Sequence, residues 1–199
     1  MSKQAVIVLA AVALLLVLFM FYPKREKTKE EALKFVEEDI VAKYGTEAKY
    51  NISATKEDGN WKLQVDVILD PVPACPSRKR LYYNYPAFGY IQREETITDK
   101  CKICIGLEPG ACRIFFEEEA VIASHSRPGG LDVSEYISTY SDARPYAKFY
   151  ASGYEMNGRA YENVWLVNWN SASANYTMHA LVDPNGGNIV QVWRADKTA

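Results

Sequence analysis

The sequence predicts an α+β protein in which an N-terminal transmembrane helix precedes two units, each packing a helix against an antiparallel sheet. Residues 5–22 form a run of 18 residues without charge, proline or glycine. Apolar residues recur at helical spacing over 32–41 and alternate with polar residues over 61–69. A similar order of helix, strand, turn and tryptophan-bearing strand returns after residue 131. The predicted parts are an anchor (1–23), a first unit (24–70), a cysteine-containing insertion (71–131) and a second unit (132–199).

The apolar run at the N-terminus has the length of a membrane span. At ~1.5 Å per residue it covers ~27 Å, close to the ~30 Å hydrocarbon layer of a bilayer. A cleaved signal peptide is the alternative, but that needs small residues at the cleavage site. Residues 18–22 read Leu-Phe-Met-Phe-Tyr and offer none. We therefore expect a single-pass anchor, with the lipid bilayer as the partner of residues 5–22.

Opposing features bear on the membrane orientation. Basic residues directly after the run favour a cytoplasmic domain by the positive-inside rule. Four cysteines, N-x-S/T sequons at Asn51 and Asn175 and a very short N-terminal tail favour export instead. We expect the C-terminal domain to lie outside the cell membrane.

The composition indicates a folded domain that does not bind nucleic acid. The chain is 48% hydrophobic and 24% charged, which lacks the signature of disorder. Beyond residue 23 the chain carries 22 basic against 25 acidic side chains, whereas nucleic-acid binding needs a concentrated basic face. The 14 tyrosines suit strands and binding surfaces. A protein or a cell-surface polymer is the expected further partner.

Several local signals mark where elements begin and turn. Thr28 and Glu31 form a capping box before the first helix, and the Asp132 to Glu135 stretch has the same pattern. The acidic residues 117–119 predict the start of a short helix over 116–125. Asp58-Gly59 and Asn157-Gly158 predict hairpin turns.

The second unit resembles the PepSY domain, a small cystatin-like module. The resemblance rests on the strands 164–167 and 176–182 and on the Asp183-Pro184-Asn185-Gly186-Gly187-Asn188-Ile189 turn. In the first unit it rests on the helix opening at Glu30 and the strand over 61–69, without the closing Asp-x-x-Gly turn. The resemblance implies an extracytoplasmic binding or inhibitory module without catalytic residues.

Four cysteines in the predicted insertion admit three interpretations. Two disulfides could cross-link a loop-rich segment that cannot bury enough surface alone. A four-thiolate zinc site could do the same, since Cys101 and Cys104 have the required spacing. The same pair could instead be a redox dithiol. We favour disulfides, whose pairing the sequence leaves open. The residues concerned are Cys75, Cys101, Cys104 and Cys112.

An aromatic run in the same segment is the candidate ligand surface. It contains Tyr82, Tyr83, Tyr85 and Tyr90. These rings could bind a glycan, a peptide or lipid headgroups, or could instead cover the disulfide-linked core. His125 lies near serines, but no nucleophile elbow surrounds it.

No cofactor or metal motif and no catalytic set stands out. We therefore expect a membrane-anchored, extracytoplasmic, non-enzymatic binding or structural module. The alternatives are a regulator or inhibitor of a membrane-associated protease, and a thiol- or zinc-dependent accessory protein.

Overall fold

The structure is a computed structural model that describes residues 27–69, 72–86, 91–108 and 111–197, with Ile91 and Gln92 described by backbone alone. It confirms the α+β class, because helices and antiparallel sheets make up the described chain. The predicted anchor lies outside the described residues. Within those ranges, every helix is too short or too polar to cross a bilayer.

The first unit consists of one helix and a four-stranded antiparallel meander. Helix α1 spans Lys29–Tyr44, and strands β1 to β4 span Lys49–Glu57, Asn60–Leu69, Ser77–Tyr85 and Ile91–Thr98. The strands lie in the order β1-β2-β3-β4. The predicted capping box is confirmed, because Glu31 N donates to Thr28 Oγ1 and Thr28 N donates to the Glu31 carboxylate. Asp58 and Gly59 both have positive φ, as a tight hairpin turn requires.

The core of the first unit lies between α1 and one face of the sheet. Ala32, Val36 and Ile40 recur at helical spacing and are fully buried. They meet the buried strand residues Leu63, Val65, Val67 and Leu81. Because strand side chains alternate between faces, the residues between them point away from α1.

Residues 77–85 and 91–98, which the sequence places in the insertion, form β3 and β4 of the first sheet. β3 pairs with β2 in continuous register from Trp61 opposite Tyr85 to Leu69 opposite Ser77. The basic run 78–80 places charged residues on both faces of the strand: Lys79 points to the α1 side, and Arg78 and Arg80 point to the other face. The alternation of apolar and polar residues that marks a half-buried strand is therefore missing there. The sequence signal for a strand was therefore masked by charge.

The helix predicted within the insertion packs into the second unit, which therefore has two helices and another four-stranded antiparallel sheet. Its elements are α2 (Glu117–Ser126), α3 (Leu131–Thr139), β5 (Arg144–Tyr150), β6 (Tyr154–Met156), β7 (Arg159–Tyr161), β8 (Val164–Asn170), β9 (Tyr176–Val182) and β10 (Ile189–Asp196). The order in the sheet is β10-β9-β8-β5, and β6 and β7 form a separate hairpin. The predicted Asn157-Gly158 turn closes that hairpin.

Both faces of the second sheet are covered in part. Trp165, Val167 and Trp169 face the two helices and form the larger core with residues of β9. On the opposite face, the β6–β7 hairpin packs over Leu166 and Leu181. Trp169 is fully buried, and its indole N–H donates to the hydroxyl of Ser124 at 3.0 Å.

The predicted capping box at Asp132 is wrong. Helix α3 begins at Leu131 after Gly130, with no side-chain cap. A Cβ on Gly130 would lie 2.6 Å from the backbone oxygen of Ser124, so the close approach of α2 and α3 requires glycine there. The position of α2 thus sets the start of α3, and Asp132 lies inside its first turn.

Candidate binding surface

The four cysteines form two disulfides, which confirms the predicted bonds and settles their pairing. Cys75 bonds Cys101, and Cys104 bonds Cys112, with Cα atoms 4.6 and 5.3 Å apart. The first bond joins the segment before β3 to the turn after β4, and the second closes the loop that follows. All four sulfurs are in disulfide bonds, so neither a four-thiolate zinc site nor a Cys101–Cys104 dithiol forms in this structure.

His125 lies beside the first disulfide. A ring nitrogen of His125 and the sulfurs of Cys75 and Cys101 lie within 4.8 Å of one another. Its Nε2 is 2.7 Å from the carbonyl oxygen of Ala74. Burial lowers the pKa of His125, against a smaller opposing effect of that hydrogen bond. The neighbouring Ser124 donates its hydroxyl proton to the Val121 carbonyl and not to this ring.

The tyrosines of the predicted ligand surface divide between the two faces of the first sheet. Tyr83 is buried in the core, where its hydroxyl donates to Asp39 at 2.8 Å. Tyr85 packs against Phe35 of α1. Tyr82 lies on the opposite face, with its hydroxyl 3.0 Å from the Glu95 carboxylate. Tyr90 lies outside the described residues.

Tyr82 is the partly exposed tyrosine that borders an open surface on this outer face, and the buried Tyr83 also reaches the lining of that surface. It lies in a shallow depression of about 400 Å³ on the outer face of the first sheet, with Ser53, Thr55, Gln64 and Arg93. Period-two alternation separates Tyr82 from Tyr83 and Tyr85. Once residues 77–85 are recognised as a strand, the same alternation predicts from the sequence that Tyr82 lies on the face opposite Tyr83 and Tyr85.

A second surface, which the sequence did not indicate, contains the most exposed apolar side chains near the disulfides. It is a groove of about 570 Å³ between β4, the Cys104–Cys112 loop and the chain leading into α2. Phe115, Leu107 and Ile105 are 68%, 54% and 40% exposed. We call it the Phe115 groove. It is lined by Arg80, Glu95, Thr96, Ile97, Cys104, Ile105, Leu107, Arg113, Phe115, Phe116 and Glu119.

Backbone bonds fix the wall of the Phe115 groove that carries Phe115. The amide of Ile114 donates to the Pro184 carbonyl at 2.7 Å, and Arg113 forms an isolated bridge with Asn185. The amides of Phe115 and Phe116 both donate to one oxygen of the Glu119 carboxylate. Burial raises the pKa of Glu119 despite these two bonds.

Ion pairs next to Arg80 and Phe116, two residues that line the Phe115 groove, join the two units. Arg78 of β3 contacts Glu118 of α2 at 2.7 Å and Asp66 of β2 at 3.2 Å. Arg80 also binds Asp66, and both guanidinium groups lie over the Phe116 ring. Burial tends to raise the pKa of Asp66, but the hydrogen bond from Arg80 and the two positive charges outweigh it and lower that pKa.

The outer face of the second sheet carries a row of polar and aromatic side chains. Tyr146, Asn168, His179 and Trp193 lie opposite one another across the four strands. His179 Nδ1 is 2.5 Å from Asn168 Oδ1, and its ring stacks on Trp193. Burial lowers the pKa of His179, so the neutral imidazole is the favoured form near neutral pH.

Comparisons with models of protein families, with curated proteins and with solved structures give no match to this chain. The case for function therefore rests on the geometry of the described residues.

Proposed function

We propose that this chain is a membrane-anchored, extracytoplasmic and non-enzymatic binding module. The observation that carries the proposal is the Phe115 groove, an exposed apolar groove whose wall is cross-linked by a disulfide. Monomeric soluble domains rarely leave large apolar side chains clustered in solvent unless they meet a partner there. Disulfides persist in oxidising compartments and are rare in the cytosol. Together these features support a binding surface displayed outside the cell.

The first unit separates Lys27, where the described chain begins, from the Phe115 groove. Trp61 donates its indole N–H to the Lys27 carbonyl at 3.0 Å, which places the start of α1 beside the β1–β2 turn. Strand β2 runs from that turn to Leu69, a distance of ~30 Å at ~3.3 Å per residue. The segment with both disulfides follows the far end of β2. An anchor at residues 5–22 would therefore present the second unit away from the bilayer.

The exposure of both sequon asparagines agrees with an extracytoplasmic location. Asn51 lies on edge strand β1, and Asn175 lies just before β9, and both side chains are exposed. A glycan on either side chain would extend into solvent.

Protease accessibility in intact cells tests the proposal. The full chain carries a C-terminal epitope tag, and the cysteines are alkylated with and without prior reduction. We expect protease to remove the tag, no thiol to react before reduction and four to react after it. A cytoplasmic protein carrying its own tag controls for cell lysis. A protected tag together with four reactive thiols before reduction would overturn the proposed location.

A further inference from the structure

Strand β4 forms a free edge of the first sheet beside the Phe115 groove. The sheet order ends at β4, so within the described ranges no strand pairs with its outer side. Such an edge presents backbone N–H and C=O groups that can accept another strand. Charges on Arg93 and Glu94 oppose strand addition along the first half of β4. Thr96 and Ile97 are uncharged, and they line the groove.

The chain that carries the apolar side chains of the groove is tied to the rest of the fold by a disulfide and by backbone bonds. Ile105 and Leu107 lie in the loop that the Cys104–Cys112 disulfide closes. Phe115 lies in the segment that pairs with the Asp183–Gly187 turn. These ties reduce the conformational entropy that the backbone loses on binding, and a smaller loss favours association.

The electrostatics of the groove select for a negatively charged ligand. Arg80 is neutralised by Asp66, and Glu95 is neutralised by Arg93. Arg113 is exposed and makes no ion pair with the described residues. Glu119, the remaining ionisable residue of the lining, is 4% exposed and its carboxylate accepts the amides of Phe115 and Phe116. The Arg113 guanidinium is therefore the unpaired charge that a ligand can reach, and a carboxylate is its natural complement.

We propose that the Phe115 groove binds an extended peptide segment of a partner protein as an additional strand on β4. The segment places apolar side chains against Ile105, Leu107 and Phe115 and directs a carboxylate to Arg113. Main-chain pairing supplies affinity, and the pockets for alternate side chains supply specificity, as in other cases of strand addition. This proposal names the partner chemistry of the binding module proposed above and rests on that function.

The first test is selection of peptides from a displayed library of random twelve-residue sequences on the full-length protein in detergent micelles. We expect the enriched peptides to combine apolar residues at alternate positions with an acidic residue. Leu107→Ala should weaken their binding about tenfold, or roughly 1.4 kcal/mol, because the truncated side chain buries less apolar surface against the peptide. The matched control is Leu131→Ala, because Leu131 is 69% exposed on α3 and lies outside the groove. Arg113→Glu should abolish the preference for acidic peptides.

The second test distinguishes strand addition from other modes of binding. Each residue of one selected peptide is N-methylated in turn, which removes one backbone donor at a time. Strand addition predicts losses of roughly threefold to tenfold at every second residue only, because alternate N–H groups face β4. Losses without this alternation, or binding that Leu107→Ala leaves unchanged, would overturn the proposal.

Other occupants of the groove give different results. If Leu107→Ala converts a dimer into a monomer without affecting peptide binding, the groove is a self-association surface. If it abolishes binding to vesicles without affecting peptide binding, the groove is a lipid surface. Either result would show that the proposal is wrong. The topology test above is independent of these outcomes. Peptide binding by a cytoplasmic domain would retain the strand-addition inference and reject the proposed location.

Discussion

The first unit packs one helix on one face of its sheet, whereas the second unit covers both faces of its sheet. In the first, the face opposite α1 carries the Arg80–Asp66 ion pair and the hydrogen bond from Tyr82 to Glu95. In the second, two helices bury Trp165 and Trp169, and the β6–β7 hairpin covers part of the other face. Both units place helices before a four-stranded antiparallel sheet, but the second has two helices and inserts the β6–β7 hairpin between β5 and β8. The comparison shows that a helix-first, four-stranded sheet supports either apolar contacts on both faces or a charged outer face.

Removing the central tryptophan of the second unit should give the largest effect. Trp169→Ala should lower the free energy of unfolding by ~3–5 kcal/mol, because it leaves a cavity in a fully buried site. Urea denaturation measures the loss, and hydrogen exchange shows whether it is confined to the second unit. Trp193→Ala is the control, since Trp193 is half-buried on the outer face. Equal losses for the two variants would contradict the described core.

Breaking the ion pair between the units tests their coupling. Glu118 is 4% exposed, so Glu118→Ala removes the closer of the two carboxylates that pair with Arg78 at a buried site. Because Asp66 still pairs with Arg78, the loss should be ~2 kcal/mol. The double variant Arg78→Met/Glu118→Leu should lose less stability than Glu118→Ala, because Arg80 still neutralises Asp66. Chemical denaturation of both variants provides the comparison. A double variant that is less stable than the single one would show that the pair itself stabilises the junction.

The pH dependence of stability should differ between the units, since both histidines lie in the second. Burial lowers the folded-state pKa of His125 and His179 below the ordinary 6.5. The unfolded chain then binds more protons at acidic pH, so the free energy of unfolding should fall as the pH drops through about 6.5. Urea denaturation between pH 7.5 and about 5.5 measures this. His125→Gln and His179→Gln should each reduce the slope, and unchanged slopes would contradict the assignment.

The smallest effect should come from a single hydroxyl in the first unit. Tyr83→Phe removes the hydrogen bond to Asp39 and should cost ~1 kcal/mol. Tyr82→Phe is the matched control, because Tyr82 bonds Glu95 on the outer face, where water can replace the lost partner. Thermal or urea unfolding compares the two variants. A greater loss of stability for Tyr82→Phe would contradict the assignment of Tyr83 to the core and of Tyr82 to the outer face.

Much of the fold could be predicted because its signals are local. The Thr28 capping box, the Asp58-Gly59 and Asn157-Gly158 turns and the alternation over 61–69 each depend on residues close in the chain. The β3 and β4 strands were missed because charged side chains on both faces interrupt the hydrophobic pattern. The start of α3 was missed because it depends on contact with α2 at Gly130.

The candidate site was less accessible from the sequence. Two disulfides were expected, but the pairing of Cys75 with Cys101 depends on the ends of β3 and β4 lying together. The sequence did not indicate that Phe115 and Leu107 are exposed, since the residue type alone does not show whether an apolar side chain is buried. The Phe115 groove forms where β4, the disulfide loop and the chain before α2 come together in space. No local sequence pattern predicts contacts between these three segments.

The amino-acid order alone determined the apolar N-terminal run, the helix cap, the hairpin turns and the presence of disulfide chemistry. Each is set by backbone preferences or by chemistry within a few residues. Tertiary structure alone decided which tyrosines are buried, which cysteines pair and where an open strand edge meets exposed apolar side chains. These depend on contacts between residues far apart in the chain, and such contacts exist only after the two sheets have formed.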